Sequence, residues 1–306
     1  MIRTITITFI CLLCGVSASS SAAPSLEEIV RSLRETNAKI SVLKVEGYAQ
    51  QYCRDNVSSP WKSTPVSSQF TLTIENKKNG RYVLTMNPKI FLIGVTNGKA
   101  SYAATWYTEF RDAEGFITHW ERGFQYHDGS RFLPPRADIN HAYRFKDTAN
   151  YAMPKEMFLS AKSFSGFEVL GFLSEIPTSL ISRLSSAPDM NFTTSYAEGG
   201  LVRLKYSLEP SAEENEALLD PAKGFGLVRY SRTDKRTTVT LDVFDHRKIA
   251  EGVWYPVHCA QTLNQTKKNE VVLTKVTLLE TSASDSDLTV KLPEGLVIKD
   301  GDEHER

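Results

Sequence analysis

The chain contains 306 residues, of which 36 are basic and 36 are acidic. This balance argues against nucleic acid as a partner, because nucleic-acid-binding proteins present an excess of basic residues. It also argues against attachment to a membrane by charge alone. Beyond the N-terminal segment, no apolar run approaches the roughly 18 residues that a transmembrane helix requires, so no transmembrane span is predicted.

Residues 1–23 have the pattern of a secretory signal peptide. An apolar stretch follows Arg3, is too short to cross a bilayer and ends in a run of small residues. Leu13 precedes Cys14, whereas a lipid-attachment cysteine would need a small residue before it. The segment therefore predicts an exported protein of the periplasm or cell envelope, soluble rather than lipid-anchored, with residues 24–306 forming a single β domain.

An amphipathic helix is predicted directly after the signal segment. Ser25 can cap its first turn, and Glu27 and Glu28 place negative charge at the positive end of the helix dipole. Asn37 marks its predicted end. Apolar residues recur at the spacing of one helical face, at Leu26, Ile29, Val30 and Leu33. This stripe is expected to lie on an apolar surface.

The next part of the chain predicts an antiparallel meander. Turn sequences separate short apolar or alternating segments, and Asn76–Gly80 and Asn97–Gly98 are hairpin signals. Strands this close in sequence, with no helix between them, pair with their neighbours. The predicted strands are residues 41–52, 69–75, 81–86, 90–95 and 99–104.

The middle of the chain, about residues 105–188, breaks this pattern and is interpreted as an insertion. Strands or turns are expected in its aromatic first half but cannot be placed. Its aromatic residues either line a hollow or fill an ordinary core. These two alternatives apply to Trp106, Trp120, Phe124 and Tyr126. Two short helices are predicted after them, at Pro154–Phe164, which has proline in its first turn, and at Ile176–Leu184.

The remainder predicts a second meander with one apolar face. Residues 209–223 are interpreted as an acidic loop. Val239, Leu241 and Val243 alternate with polar residues, which is the period of a strand with one buried face. The predicted strands are residues 191–196, 201–208, 225–231, 237–244, 252–261, 270–280 and 287–292.

Two cysteines lie outside the signal segment, Cys53 and Cys259. Export would permit a disulfide between them, and two separate buried thiols are the alternative. A bridge would close a long loop and stabilise the fold by about 4–5 kcal/mol in the chain-entropy model.

No motif for catalysis, metal binding or phosphate binding stands out. The six histidines show no His-x-x-x-His spacing, and the chain contains neither a Gly-x-Ser-x-Gly segment nor a phosphate loop. We therefore predict a non-enzymatic protein with no metal site and no cofactor.

The order of these elements resembles the lipoprotein-localisation factor superfamily. Besides the opening helix, the resemblance rests on Val42–Gly47, Asp220–Gly224, Gly252–Pro256 and Leu288–Ile298. It implies a mainly β fold in which a strongly curved antiparallel sheet forms an unclosed half-barrel, covered by the N-terminal helix and the short central helices. Members of that superfamily, which includes a periplasmic lipoprotein carrier and its outer-membrane receptor, hold acyl chains in the apolar hollow between sheet and helices.

The leading hypothesis is therefore an exported carrier that holds a lipid or acylated ligand in an apolar cavity, and lipoprotein sorting is one role that such a carrier could serve. The alternatives are a cell-envelope module with a filled core that binds a protein partner, and a hydrolase with an unrecognised site. The residues predicted to face the cavity are Leu26, Ile29, Leu33, Phe70, Leu72, Tyr82, Leu84, Leu241 and Val243.

Overall fold

The computed structural model describes most of the chain outside the N-terminal segment and the middle. The residues described are 22–64, 67–75, 80–96, 99–127, 141–146, 191–208, 213–233, 235, 237–280 and 285–300. They contain one α-helix, α1 (Leu26–Ala38), and fifteen strands. The strands are β1 (Val42–Cys53), β2 (Lys62–Ser63), β3 (Ser68–Glu75), β4 (Tyr82–Thr96), β5 (Lys99–Arg111), β6 (Phe116–His127), β7 (His141–Lys146), β8 (Asn191–Tyr196), β9 (Val202–Leu208), β10 (Glu213–Asp220), β11 (Gly226–Thr233), β12 (Thr238–Ala250), β13 (Val253–Leu263), β14 (Lys267–Leu279) and β15 (Val297–Asp300).

The predicted N-terminal helix is confirmed, including its cap. The Ser25 hydroxyl accepts a hydrogen bond from the Glu28 backbone N–H at 3.2 Å, and the Glu28 carboxylate accepts one from the Ser25 N–H at 2.8 Å. This reciprocal capping box satisfies two donors that a helix start otherwise leaves unpaired. Ile29 and Leu33, from the apolar stripe, are the buried residues of the helix.

All fifteen strands belong to one sheet, built from two meanders that meet at β1. β1 pairs with β3 on one side and with β14 on the other. From β3 the order continues through β4, β5, β6 and β7, and from β14 it runs back through β13 to β8. β2 adds to the end of β1, and β15 pairs in parallel with β7. The two edges, β8 and β15, do not pair with each other, so the predicted unclosed, mainly antiparallel half-barrel is confirmed in outline.

The larger buried apolar cluster of the described residues lies on one face of this sheet, which we call the inner face. Leu84 on β4 and Leu204 on β9 are both 0% exposed, although many strands separate them in the sheet order. Within the described residues, α1 is the single α-helix available to cover them. A flat sheet this wide would leave one of them in solvent, so the sheet curls around its own inner face.

The strands differ from the predicted ones in the middle of the chain. Residues 81–86 and 90–95 were expected as two strands but form one, β4, with an irregular pairing between Met86 and Lys89. Part of the aromatic stretch forms β6 and β7, which join the sheet beside β5. The positions of β6 and β7 are set by their pairing with neighbouring strands, which the sequence alone did not reveal.

Two further predictions were wrong. Residues 213–220, interpreted as part of an acidic loop, form β10 between β9 and β11. Asn215, Ala217 and Leu219 are buried on its inner side, so sheet pairing overrides a composition that disfavours strands. Residues 287–292, predicted as a strand, form turns and irregular backbone, and the final strand is β15.

The predicted helices Pro154–Phe164 and Ile176–Leu184 lie outside the described residues, as does nearly all of the predicted signal segment. Among the residues that the structure describes, no helix combines the length and apolar character needed to cross a bilayer.

Candidate ligand site on the inner face of the sheet

The structure brings the nine predicted cavity residues into one apolar cluster on the inner face. Eight of them are buried, and Leu26 is half-buried against the others. The same cluster also contains side chains from the distant strands, including Val202, Leu219 and Val257. The predicted residues of β3, β4 and β12 therefore share one face of the sheet.

This cluster is tightly packed. Ile29, Leu84 and Leu241 are each 0% exposed, so they contact neither solvent nor an internal void large enough for water. A ligand would have to displace a covering group before reaching them.

The helix α1 covers the cluster at one end of the strands. A Cβ placed on Gly224, just before β11, would lie 3.2 Å from the Thr36 Oγ1, and one on Gly252, just before β13, would lie 3.1 Å from the Lys39 Nζ. The outward side of α1 borders an open groove of about 420 Å³. Its lining includes Arg31 and Ser32 from the helix and Phe225 from the segment facing it.

A buried polar group lies on the inner face at β4, β5 and β6. Leu84 stands opposite Glu109, and Glu109 stands opposite His119, so these three side chains share a face. The Tyr82 hydroxyl donates to the Glu109 carboxylate at 2.8 Å, and the His119 Nδ1 lies 3.3 Å from its other oxygen. The Tyr107 ring packs on His119 with centroids 4.7 Å apart, and burial raises the pKa of Tyr107 well above its ordinary value. Sequence reasoning missed this group because only the register shows that the residues meet.

A second polar feature lies on the inner face at β1, β14 and β13. Gln51 stands opposite Asn269, and Asn269 stands opposite Gln261, so three carboxamides form a row across neighbouring strands. Asn269 is 1% exposed and Gln261 is 8% exposed. Among the residues that the structure describes, neither amide atom of Asn269 has a hydrogen-bond partner, and the Gln261 Oε1 has none. A buried polar group without a partner costs about 1–3 kcal/mol, so the amides of Asn269 and Gln261 would gain from a ligand that pairs with them.

The two cysteines are free thiols, so the disulfide that the sequence allowed is not formed. Strand β14 lies between them, with Lys267 opposite Cys53 and Val271 opposite Cys259. These positions differ by about 13 Å along the strand at 3.3 Å per residue, whereas a disulfide needs Cα atoms within about 7 Å. Burial raises the pKa of the Cys259 thiol, which keeps it protonated.

Across the described part of the chain, no group of three or more His, Cys, Asp or Glu side chains is arranged to hold a metal ion. Glu109 and His119 are in contact only as a pair, and their described neighbours Tyr82 and Tyr107 are tyrosines rather than further acidic or histidine ligands.

No protein-family model matches the chain, and no curated protein matches its sequence. Several solved structures are similar to it at low sequence identity. A DUF1329 family protein from Desulfovibrio piger is 11% identical with a TM-score of 0.42, over 86% of this chain and 97% of that one. An outer membrane lipoprotein-sorting protein domain from Vibrio parahaemolyticus is 12% identical with a TM-score of 0.39, over 86% and 98%. A β-barrel-like DUF1849 protein from Brucella abortus is 10% identical with a TM-score of 0.29, over 79% and 99%. At identities and scores this low, the comparisons carry no conclusion about binding or activity.

Proposed function

We propose that the protein is an exported, non-enzymatic carrier that holds a lipid or acylated ligand between the inner face of its sheet and α1. The observation that carries the proposal is the continuous apolar cluster across an unclosed sheet, in which the described residues provide a single helix as cover. An unclosed sheet with one removable cover has an inner face that can be opened without breaking strand pairing.

The energy of that cover is small enough for a ligand to replace it. The buried contacts of α1 are Ile29 and Leu33, and each buried aliphatic side chain contributes about 1.5–3 kcal/mol. An acyl chain gains about 0.8 kcal/mol for each methylene group that it buries, so roughly four to eight methylene groups match the lost contacts. The packed state is then the ligand-free state, and the ligand replaces the contacts that Ile29 and Leu33 make with the inner face.

The groove beside α1 offers a starting point for this exchange. It is open, and it runs along the outward side of the helix to Tyr196 and Phe225. An acyl chain that binds there first contacts both aromatic rings, and it can then move beneath the helix.

The alternative of an envelope interaction module with a filled core also has a specific observation in its favour. The complete burial of Ile29, Leu84 and Leu241 is what a filled core shows. The hydrolase alternative would need a histidine and a carboxylate within reach of substrate. Glu109 and His119 are in contact, but Glu109 is 6% exposed and accepts from the Tyr82 hydroxyl, and the Tyr107 ring packs on His119.

The test uses residues 24–306 without the predicted signal segment. We expect solvent extraction of the purified protein followed by mass spectrometry to recover lipid, and we expect the protein to take up a fluorescent fatty acid. Leu241→Trp places an indole in the buried cluster and is expected to reduce uptake more than tenfold. Phe244→Trp is the matched control, because Phe244 is 60% exposed and its ring contacts His258 in a tilted arrangement rather than joining the cluster.

Leu84→Phe is a milder second variant in case Leu241→Trp fails to fold, which circular dichroism will show. The absence of both co-purifying lipid and fatty-acid uptake in the unmodified protein would refute the carrier proposal. Recovery of one envelope protein by a pull-down from such a non-binding protein would favour the interaction module.

A further inference from the structure

We propose that Asn269 and Gln261 form a subsite for the uncharged, hydrogen-bonding head group of the apolar ligand. This inference rests on the proposed carrier function and adds the chemistry by which the ligand is recognised. It assigns a role to polar atoms that are without partners among the described residues.

The placement of the two amides fits a head group. Along β13 and β14, the next inward residues on one side are Cys259 and Val271, which belong to the apolar cluster. On the other side the strands end, at Leu263 and Lys267, and a turn follows. The amides therefore stand at the boundary between the apolar cluster and the rim of the half-barrel.

This rim is the one opposite α1. The helix lies near Gly252, which precedes the start of β13, whereas Gln261 lies near the end of that strand. The distance between the two ends is roughly 26 Å at 3.3 Å per residue, comparable to an extended acyl chain. A ligand with its tail beneath α1 thus has its head at the amides.

The chemistry of the subsite follows from the donors and acceptors present. The Asn269 Nδ2 can donate and its Oδ1 can accept, and the Gln261 Oε1 can accept. A head group with both a carbonyl and a hydroxyl or N–H satisfies these atoms together. Asn269 is 1% exposed, and neither amide carries a charge that would offset the desolvation of an ionised head group at such a depth. The head group that fits these amides is an uncharged ester or amide that also carries a hydrogen-bond donor.

A packing role for the amides would make a different prediction. Polar side chains that hold a core together are paired, as Asn215 is with the Tyr230 hydroxyl at 2.6 Å. Asn269 makes no such contact with any residue in the described part of the chain. Replacing it with leucine, which has a similar size, should therefore raise the melting temperature of the ligand-free protein.

The experiment uses two probes on the folded protein. Dodecylpyrene has an apolar chain and no hydrogen-bonding head, and its fluorescence reports binding directly. Monooleoylglycerol has an uncharged ester and hydroxyl head and is measured by displacement of dodecylpyrene. The variants are Asn269→Leu and Gln261→Met, and Gln69→Met on the exposed side of β3 is the matched control.

We expect Asn269→Leu to weaken monooleoylglycerol binding about tenfold for each hydrogen bond lost. Dodecylpyrene binding should change less than about twofold in the same variant, because that probe makes no hydrogen bond. Gln261→Met should show a smaller loss of the same kind, and Gln69→Met should match the unmodified protein for both probes.

Three results separate the possibilities. If Asn269→Leu binds both probes as the unmodified protein does, the subsite is wrong and the carrier proposal stands. If Asn269→Leu lowers the melting temperature of the ligand-free protein, the amide has a packing role and the subsite is also wrong. If the unmodified protein binds neither probe, the carrier proposal fails and the subsite fails with it.

Discussion

Truncation of Ile29 tests whether α1 is a separable cover. Ile29 is 0% exposed and packs in the inner-face cluster, and replacing a buried isoleucine with alanine costs about 2–5 kcal/mol. Alanine favours a helix by about 0.4 kcal/mol more than isoleucine, which offsets a small part of that cost. The net loss, about 2–4 kcal/mol, should appear as opening of α1 rather than of the whole sheet.

Hydrogen exchange followed by mass spectrometry measures this opening directly. At 1.36 kcal/mol for each factor of ten, the loss corresponds to roughly 30- to 900-fold faster exchange of the α1 amides in Ile29→Ala. Val30→Ala is the matched control, since Val30 is half-buried on the same helix. Amides of β13 should exchange at the same rate in both variants.

Two results would refute this reasoning. Equal acceleration of α1 and β13 in Ile29→Ala would show that the helix opens only together with the sheet, so it could not act as a cover. Equal exchange of α1 in Ile29→Ala and Val30→Ala would show that the buried contact does not hold the helix in place.

Three further predictions concern stability and thiol reactivity. Burial lowers the pKa of His246 below its unfolded value of about 6.5, and a neighbouring lysine lowers it further. The folded state therefore favours the neutral ring, and the free energy of unfolding should fall as the pH decreases below about 6.5. Urea titrations at pH 8 and pH 5.5 should show a smaller loss in His246→Gln, and an identical loss in both proteins would contradict the assignment. Cys53 is half-buried and Cys259 is 1% exposed, so a thiol reagent should label Cys53 in the native protein and Cys259 only after unfolding, as peptide mapping will show. Arg81→Met should reduce the free energy of unfolding by about 1–3 kcal/mol, because the Glu75 carboxylate is 5% exposed and accepts from the Arg81 guanidinium at 2.8 Å; an unchanged urea midpoint would contradict this.

Local pattern was sufficient for the helix and for most strands. Ser25 and Glu28 form the capping box that their spacing predicted. The alternation of Leu241 and Val243 predicted which side chains of β12 are buried. These features depend on residues near one another in sequence, where backbone geometry alone decides which side chains share a face.

Composition failed where sheet pairing decides the structure. The acidic segment of β10 was interpreted as a loop, yet it pairs with β9 and β11. Its alternate residues Asn215, Ala217 and Leu219 are buried. An intrinsic preference against strands is worth about 1 kcal/mol at most for each residue and depends on context, so pairing on both sides and the burial of side chains such as Leu219 outweigh it here.

The sequence by itself determined the capped helix, the alternating strands and the apolar character of the inner face. Only the tertiary structure decided that β1 lies between β3 and β14, which brings Gln51 and Gln261 onto either side of Asn269. It also decided that Glu109 meets His119. The physical reason is that these contacts depend on the register of whole strands, and register is selected by the packing of the complete sheet rather than by any one segment.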